Sequence, residues 1–207
     1  MIKGVKTRHD SLWKVAGDRI AAGTYCSGVM MAGGSISLKE VIPEQLEEPL
    51  ILFQRAGAVV KRERERLFIC MKDRPDPLKI STGPYPGFPT DMQSLFMAFL
   101  SIAKGESCIT ENVFEDRFGT AAELVKMGAD ITCQGKTAVI KGVPLLAGTK
   151  VRALDLRGAA ALVMAALGAE GSTIIEDCYH IKRGYEDICR DLRALGGRAD
   201  WMESDTG

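Results

Sequence analysis

The sequence predicts an α/β domain built from three copies of one supersecondary unit. Aligned with itself, the 207-residue chain repeats at a period of about 70 residues. Each copy opens with an aspartate before an apolar stretch and contains a later glycine that ends a second helical pattern. The aspartates are Asp18, Asp91 and Asp155, and the glycines are Gly57, Gly128 and Gly196. A fixed period of this length indicates repetition of a unit of helices and strands.

The elements follow one order in each copy. The apolar stretch is long enough for a helix and stops at a small-residue break, AGGS, KGES or AEGS. A strand-like run follows, as expected where a helix ends at a glycine. A second helix ends at the glycine turn, and short extended segments come after it, most clearly RLFICM and TAVIKG. The predicted order is therefore helix, strand, helix, strand, strand, with repeats at about 18–80, 81–150 and 151–207.

The first helix of each copy is predicted to be enclosed. LFMAFLSIA and AAALVMAAL are apolar on nearly every face, whereas ICRDLRALGG carries charges at the spacing of a solvated face. Buried helices are accordingly predicted over residues 92 to 103 and 158 to 168. Three buried helices should gather inside, with three outer helices and sheets around them.

Composition excludes several classes of protein. The 27 basic and 27 acidic residues cancel, so no global field attracts nucleic acid or an anionic membrane. No segment reaches the length of a membrane span, and the N-terminus lacks a signal layout. The six cysteines form no CxxC pair and mostly sit in apolar runs, which predicts buried, reduced thiols in a cytoplasmic protein. The charge run KRERER, residues 61 to 66, is interpreted as a solvated hairpin.

The loop GPYPGFPTDMQ, residues 83 to 93, ends on an aspartate directly before an apolar run. Its three prolines make it a rigid turn, because proline fixes φ and biases its neighbours toward extended geometry. Asp91 therefore has two interpretations. Its carboxylate either caps the following helix, as recurrence at Asp18 and Asp155 suggests, or is held still where a substrate binds.

Further candidates lie in loops in the middle of the units. NVFEDRF contains Arg117, and YHIKRGYE contains Lys182 and Arg183. Equivalent loops of a pseudo-threefold domain fall at one end of the domain, so these cations can face the same cleft as the helix N-termini. Helix N-termini and guanidinium groups both bind phosphate favourably. Salt bridges between units are the alternative for both arginines. The residues alone predict a cleft for an anionic substrate.

Neither a metal centre nor a cofactor is predicted. His9 and His180 have no second metal ligand at a suitable spacing, and no glycine-rich phosphate loop or nucleophile elbow is present. The chain also begins in the middle of the pattern. Residues 2 to 18 align with residues 140 to 155, the closing segment of one unit, so residues 1 to 17 are expected to form closing strands of a preceding unit and a crossover.

Several motifs resemble a known family. PYPGFPTDMQ, TENVFEDRFGTAAELVKMGADI, DLRGAAALVMAAL and YHIKRGYEDI, in this order and spacing, closely resemble the C-terminal half of the UDP-N-acetylglucosamine 1-carboxyvinyltransferases, a family of enolpyruvyl transferases. The segment GVKTRHDSLWKVAGDRIAAGT is similar to that family's crossing into its second domain. The resemblance implies an inside-out α/β barrel, in which three βαβαββ units surround buried helices, with the C-terminal domain over residues 18 to 207.

The resemblance also implies a reaction and partners. The enolpyruvyl group of phosphoenolpyruvate would move to the 3-hydroxyl of UDP-N-acetylglucosamine, the first committed step of peptidoglycan synthesis in the bacterial cytoplasm. That step serves cell-wall biogenesis, cell shape, the cell cycle and division. The expected partners are both substrates and an N-terminal domain, with no nucleic acid and no membrane.

Site residues follow from the same resemblance, position by position. Asp91 is the candidate base for the sugar hydroxyl, Asp155 assists proton transfer, and Arg117 lies nearby. Arg157 and Arg183 are expected to meet the charged groups of phosphoenolpyruvate. The positions implied for substrate binding are Thr90, Asp91, Val113, Phe114, Arg157 and Arg183.

The sequence departs from the family in two ways. The family usually has asparagine at Asp116, aspartate at Lys182, and proline and glutamate at Gly17 and Ala21. Its N-terminal domain, with a Lys-Asn pair and a mobile loop bearing a reactive cysteine, has no counterpart here, so the chain alone is expected to be nearly inactive. A shikimate-phosphate enolpyruvyl transferase and a non-catalytic binding or assembly module remain alternatives. FPTDMQ and ENVFEDRF favour the nucleotide-sugar enzyme.

Overall fold

The computed structural model describes residues 3–5 and 7–202, and from residue 19 onward its helices and strands fall into three consecutive units. The first two units have the predicted order of elements, whereas in the described residues the third follows it only as far as its second helix. The first unit contains α1 (Arg19–Ala32), β1 (Gly34–Lys39), α2 (Glu47–Arg55), β2 (Val59–Glu63) and β3 (Arg66–Met71). The second contains β4 (Lys79–Ser81), α3 (Gln93–Leu100), β5 (Glu106–Thr110), α4 (Gly119–Lys126), β6 (Asp130–Gln134) and β7 (Thr137–Lys141). The third contains β8 (Lys150–Arg152), α5 (Leu156–Leu167), β9 (Ile174–Glu176) and α6 (Ile188–Ala194). Turns of 3-10 helix occupy Pro43–Leu46, Thr90–Met92 and Cys178–Arg183.

Each unit contributes its own small sheet. The first sheet has the order β1-β3-β2 and is antiparallel. The second has the order β4-β5-β7-β6, in which β4 runs parallel to β5, and the third pairs β8 with β9 in parallel. A strand that enters before the first helix of a unit therefore lies beside the strand that follows that helix.

The segment before α1 does not follow this scheme. Its described residues, 3–5 and 7–18, contain neither helix nor strand, so no closing strand is formed among them. Within the described residues, the edge of β1 opposite β3 has no partner strand. The division of the chain at residue 17 remains a prediction.

The three helices α1, α3 and α5 pack against one another in the centre. Every residue of α3 is buried, and α5 has no broad face in water, which confirms the two predicted buried helices. Their bounds differ slightly from the prediction. The first turn before α3 is 3-10, and α5 begins at Leu156 because Asp155 caps it there.

A cluster of phenylalanines joins the central helices to the outer layer. The Phe96 ring lies 4.7 Å from the rings of Phe53, Phe88 and Phe99, measured between centroids. Phe88 belongs to the proline-rich loop and is only 2% exposed. Aromatic pairs at this spacing stabilise a fold beyond the area they bury, so the loop is fastened to the core just before Asp91.

The repeated glycines end the outer helices. Gly57, Gly128 and Gly196 have φ of 100°, 94° and 93°, the left-handed region that favours glycine.

The hairpin at residues 61 to 66 is exposed throughout, as predicted. All six cysteines are free thiols, but the prediction that they are buried is only partly correct. Cys133 is exposed, because its strand β6 is the outer strand of its sheet.

Close contact between α1 and α5 gives a stability prediction. Gly168 follows α5, and a Cβ built on it would lie 2.7 Å from the carbonyl oxygen of Met31 in the last turn of α1. Its φ of −104° suits any residue, so the cost of a larger side chain is steric. We expect Gly168→Ala to lower the free energy of unfolding in urea by about 1 to 3 kcal/mol.

The matched control is Gly83→Ala, because a Cβ at Gly83 meets no atom within 4 Å. We expect this control to change the free energy of unfolding by less than about 0.5 kcal/mol. Equal effects of the two substitutions would contradict the close helix approach.

Candidate active site

An open cleft of about 440 Å³ lies between the second and third units. The NVFEDRF loop, the start of α5 and the 3-10 turn Cys178–Arg183 line it. The lining residues are Phe114, Glu115, Asp116, Arg117, Asp155, Leu156, Arg157, His180 and Arg183. A smaller depression of about 250 Å³ on the outer face of the first sheet includes none of the predicted site residues.

Asp91 joins the two sides of the cleft through ion pairs. Its Oδ1 accepts a hydrogen bond from Arg117 at 2.8 Å, and its Oδ2 accepts one from Arg157 at 3.1 Å. The two guanidinium groups are mostly covered, whereas the carboxylate is 40% exposed. Asp91 is not among the residues that line the cleft but is bound to two that are. Each carboxylate oxygen can accept more than one hydrogen bond, so the exposed part of Asp91 remains able to receive a further donor.

The capping interpretation is wrong for Asp91. In the described structure no backbone N–H donates to its carboxylate, because Asp91 lies inside the 3-10 turn Thr90–Met92 and α3 begins two residues later. Capping is confirmed for the other two repeats. The Asp18 carboxylate accepts from the amides of Ile20 and Ala21.

Asp155 combines a cap with a place in the cleft. Its Oδ1 accepts from the amides of Arg157 and Gly158, each at 2.8 Å. Among the described residues no donor reaches its other oxygen, and the residue is exposed. The cap fixes the carboxyl group, which leaves Oδ2 as the atom that can take part in chemistry.

Arg117 is held from a second direction. Its guanidinium carbon lies 4.8 Å from the centre of the Phe114 ring, within the range of a cation–π contact. Asp116, just before it, has a φ of 51°, where asparagine and aspartate are the best tolerated side chains after glycine. The departure at Asp116 therefore keeps the local backbone and adds a negative charge to the lining of the cleft.

The remaining predicted residues divide between cleft and surface. Arg183 and His180 line the cleft. Lys182 does not, since its ammonium lies 4.9 Å from the centre of the Trp201 ring, so this departure places its charge away from the site. Val113 and Phe114 are half exposed, and both amides donate to Glu111 Oε1.

Sequence reasoning missed two residues. Glu111 is only 3% exposed and accepts from Thr82, Thr90 and the two amides. Burial by itself raises the pKa of Glu111, but these hydrogen bonds outweigh it and hold that pKa below its ordinary value. The signal available in the sequence was an acidic residue at the start of ENVFEDRF, directly after the strand ESCIT.

The second missed residue is Tyr185, whose hydroxyl lies 2.7 Å from Thr24 Oγ1 on α1. Burial raises the pKa of Tyr185, while the hydrogen bond with Thr24 and the nearby charge of Arg157 lower it. Tyr185 is therefore bound to the first central helix and lies close to Arg157, the arginine that binds Asp91. In the sequence, the only signal for Tyr185 was its position two residues after Arg183 in YHIKRGYE.

Comparison with protein families gives one match over most of the chain. The family model described as EPSP synthase (3-phosphoshikimate 1-carboxyvinyltransferase) matches residues 1–192. The UDP-N-acetylglucosamine 1-carboxyvinyltransferase of Aeromonas hydrophila subsp. hydrophila is 44% identical over 200 residues, which cover 96% of this chain and 48% of that protein. The UDP-N-acetylglucosamine 1-carboxyvinyltransferase 2 of Caldanaerobacter subterraneus subsp. tengcongensis is 44% identical over 197 residues, 95% of this chain and 47% of its own. The chain thus spans about half the length of the curated relatives it matches.

Solved structures agree on the fold. The enolpyruvyl transferase NikO from Streptomyces tendae has a TM-score of 0.80 at 29% identity, over 88% of this chain and 44% of its own. An EPSP synthase from Acinetobacter baumannii has a TM-score of 0.60 at 20% identity, over 79% and 39%, which bears on the fold alone. The predicted inside-out α/β barrel is confirmed.

Asp155 both caps α5 and lines the cleft, and two substitutions separate its capping role from its charge. Asparagine caps nearly as well as aspartate, so Asp155→Asn should change the free energy of unfolding by only a few tenths of a kcal/mol. Asp155→Ala removes both accepted amide hydrogen bonds and should cost about 1 kcal/mol. Urea unfolding of both variants measures the difference. An equally large loss for both would mean that the charge, rather than the cap, stabilises this helix start.

Proposed function

The chain belongs to the EPSP synthase family of carboxyvinyltransferases, and we propose that it is the C-terminal half of an enzyme that transfers the enolpyruvyl group of phosphoenolpyruvate to the 3-hydroxyl of UDP-N-acetylglucosamine. Relatives that are 44% identical are named UDP-N-acetylglucosamine 1-carboxyvinyltransferase, which supports the choice of acceptor. An N-terminal domain would supply the rest of the site, since the chain covers about half of these relatives. This assignment keeps residues 18 to 207 as the C-terminal domain.

The reaction requires groups of the kinds found in the cleft. The sugar hydroxyl oxygen bonds to C2 of phosphoenolpyruvate, while a proton is added to the methylene carbon C3. Loss of a proton from C3 then restores the double bond and expels phosphate from C2. A base for the hydroxyl, a proton donor and acceptor at C3, and cations around the phosphate and carboxylate must therefore face one space.

The single observation that carries the proposal is Asp91 between Arg117 and Arg157. A carboxylate that is fixed by two guanidinium groups and remains 40% exposed can accept the proton of a bound hydroxyl. Its position depends on Phe88, which packs in the core three residues earlier. In this proposal Asp91 is the base.

Other residues take roles that their contacts allow. Asp155 uses Oδ2, the oxygen that accepts no amide hydrogen bond, for proton transfer at C3. Arg117, Arg157 and Arg183 meet the charges of phosphoenolpyruvate, because guanidinium groups match phosphate and carboxylate in geometry. The amide of Val113 is engaged by Glu111, so its carbonyl oxygen is the backbone group left for the nucleotide-sugar.

The biological setting belongs to the proposal as well. The reaction would be a step of peptidoglycan synthesis in the bacterial cytoplasm, and through it would serve cell-wall biogenesis, cell shape and division. In the described residues no helix is long and apolar enough to cross a bilayer. A shikimate-phosphate acceptor is the second candidate, favoured by the description of the matching family model.

Phosphate release with the two acceptors tests the function. Combined with an N-terminal half from the same family, the chain should release phosphate from phosphoenolpyruvate with UDP-N-acetylglucosamine and not with shikimate 3-phosphate. The chain alone should be nearly inactive, because it holds only part of the required groups. A preference for shikimate 3-phosphate would support the second candidate. Full turnover by the chain alone would contradict the half-site, and no turnover in the combined protein would favour a binding module.

Asp91→Asn tests the proposed base. The substitution preserves shape but removes the proton acceptor, so kcat in the two-domain enzyme should fall by roughly 10² to 10⁴. The thermal midpoint should change little, since the Asp91 carboxylate does not cap α3. Asp130→Asn, on the exposed start of β6, is the control and should keep full turnover. An unchanged rate with a lowered midpoint for Asp91→Asn would return Asp91 to a structural role.

A further inference from the structure

Glu111 lies at the end of β5, behind the cleft rather than in it. Its side chain is almost completely buried, and it is absent from the residues that line the cleft. Its own amide donates to the carbonyl of Lys136 at 2.8 Å, which fixes the backbone next to the sheet. A buried carboxylate is costly unless its oxygens are satisfied, so its partners indicate what it does.

The four donors to Glu111 come from two different segments. From the proline-rich side, the hydroxyls of Thr82 and Thr90 donate to Oε1 and Oε2, each at 2.8 Å. From the NVFEDRF loop, the amides of Val113 and Phe114 donate to Oε1 at 2.8 and 3.1 Å. One carboxylate therefore bonds to both ends of the proline-rich loop and to the start of the loop that carries Arg117.

The two segments are also connected beside Glu111. The amide of Asn112 donates to Thr82 Oγ1 at 2.8 Å, so that hydroxyl both accepts from one segment and donates to the carboxylate. The amide of Gly83 donates to the carbonyl of Phe88 at 3.0 Å and closes the proline-rich loop upon itself. The arrangement places Asp91 one residue from Thr90 and Arg117 three residues from Phe114.

We infer that Glu111 is a positioning residue that sets the distance between Asp91 and Arg117 by holding both loops through a single carboxylate. The inference rests on the proposed function only for what the loops bind; the coupling between them is a property of the protein without ligand. A carboxylate suits the role because ionised oxygens only accept, and all four groups that face it donate.

Glutamine is the discriminating substitution. In Glu111→Gln, one oxygen of the side chain becomes an NH₂ group, which cannot accept the hydrogen bonds that are donated to that oxygen. The charge that strengthens all four hydrogen bonds is lost as well. The change keeps size and shape, so the core should remain packed while the two loops lose their common partner.

Hydrogen exchange of the 207-residue chain, without substrate, measures the coupling. For Glu111→Gln we expect exchange to accelerate by roughly 10-fold or more in both residues 82 to 92 and residues 112 to 117, the loss of charge-assisted hydrogen bonds expressed as a rate. Exchange in α5 and β7 should stay within about 2-fold of the parent protein.

Glu123→Gln is the matched control. Glu123 is also buried and accepts from the Arg152 amide at 2.9 Å and from Lys126, but it lies on α4 and its hydrogen-bond partners belong to neither loop. Exchange in both loops should be unchanged in this variant. Thr90→Val, which removes one donor and keeps the shape, should accelerate exchange in residues 82 to 92 only.

Three outcomes would overturn the inference. They are unchanged exchange in both loops of Glu111→Gln, acceleration in one loop alone, and a uniform acceleration that includes α5 and β7, which would reveal a general contribution to stability. Adding UDP-N-acetylglucosamine to the parent chain separates this inference from the proposed function. Coupled acceleration in Glu111→Gln supports the positioning role even where the nucleotide-sugar fails to protect the loops, a failure that counts against the function alone.

Discussion

The complete burial of α3 is the constraint on which the rest of this fold depends. A helix that exposes no residue must be covered on all sides, and two neighbouring helices cannot do this alone. The helices α1 and α5 cover part of it, and the outer helices and small sheets of the three units close the remaining directions. Repetition of one unit achieves this coverage, because each copy supplies one central helix and one part of the surrounding layer.

The same constraint creates the site. Since the central helices are gathered, the beginnings of α3 and α5 lie close together, and Asp91 reaches Arg157 across 66 positions of sequence. Arg117 approaches from the loop before α4, and its guanidinium group lies over the Phe114 ring. The charged groups of the cleft are thus held by rigid elements and by buried neighbours, which is what precise positioning of reacting groups requires. Phe88 shows how directly core and cleft are joined, because one buried ring fixes the loop that carries the carboxylate.

Much of this architecture could be predicted from the sequence, since it depends on patterns that local chemistry enforces. The apolar helices and the left-handed glycines at positions 57, 128 and 196 follow from burial and from backbone sterics. The role of Asp91 could not be settled in that way, because a cap and an ion-paired carboxylate share one local pattern and differ only in partners that come from other units. Glu111 and Tyr185 were missed for a related reason. Their side-chain hydrogen-bond partners lie 21 to 161 residues away along the chain, and a single sequence contains no record of those contacts.

The first sheet has a consequence for how the protein behaves in solution. Along Gly34–Lys39, the side of β1 that faces away from β3 carries backbone donors and acceptors that pair with no strand in the described structure. In the other two sheets a short parallel strand, β4 or β8, pairs with the corresponding edge of β5 or β9. An open edge of this kind is a template for pairing between molecules, and in β1 only Lys39 carries a charge that discourages it. Self-association that grows with protein concentration is therefore the expected liability of this chain, and it would begin at the face of the molecule that belongs to the first unit rather than at the cleft.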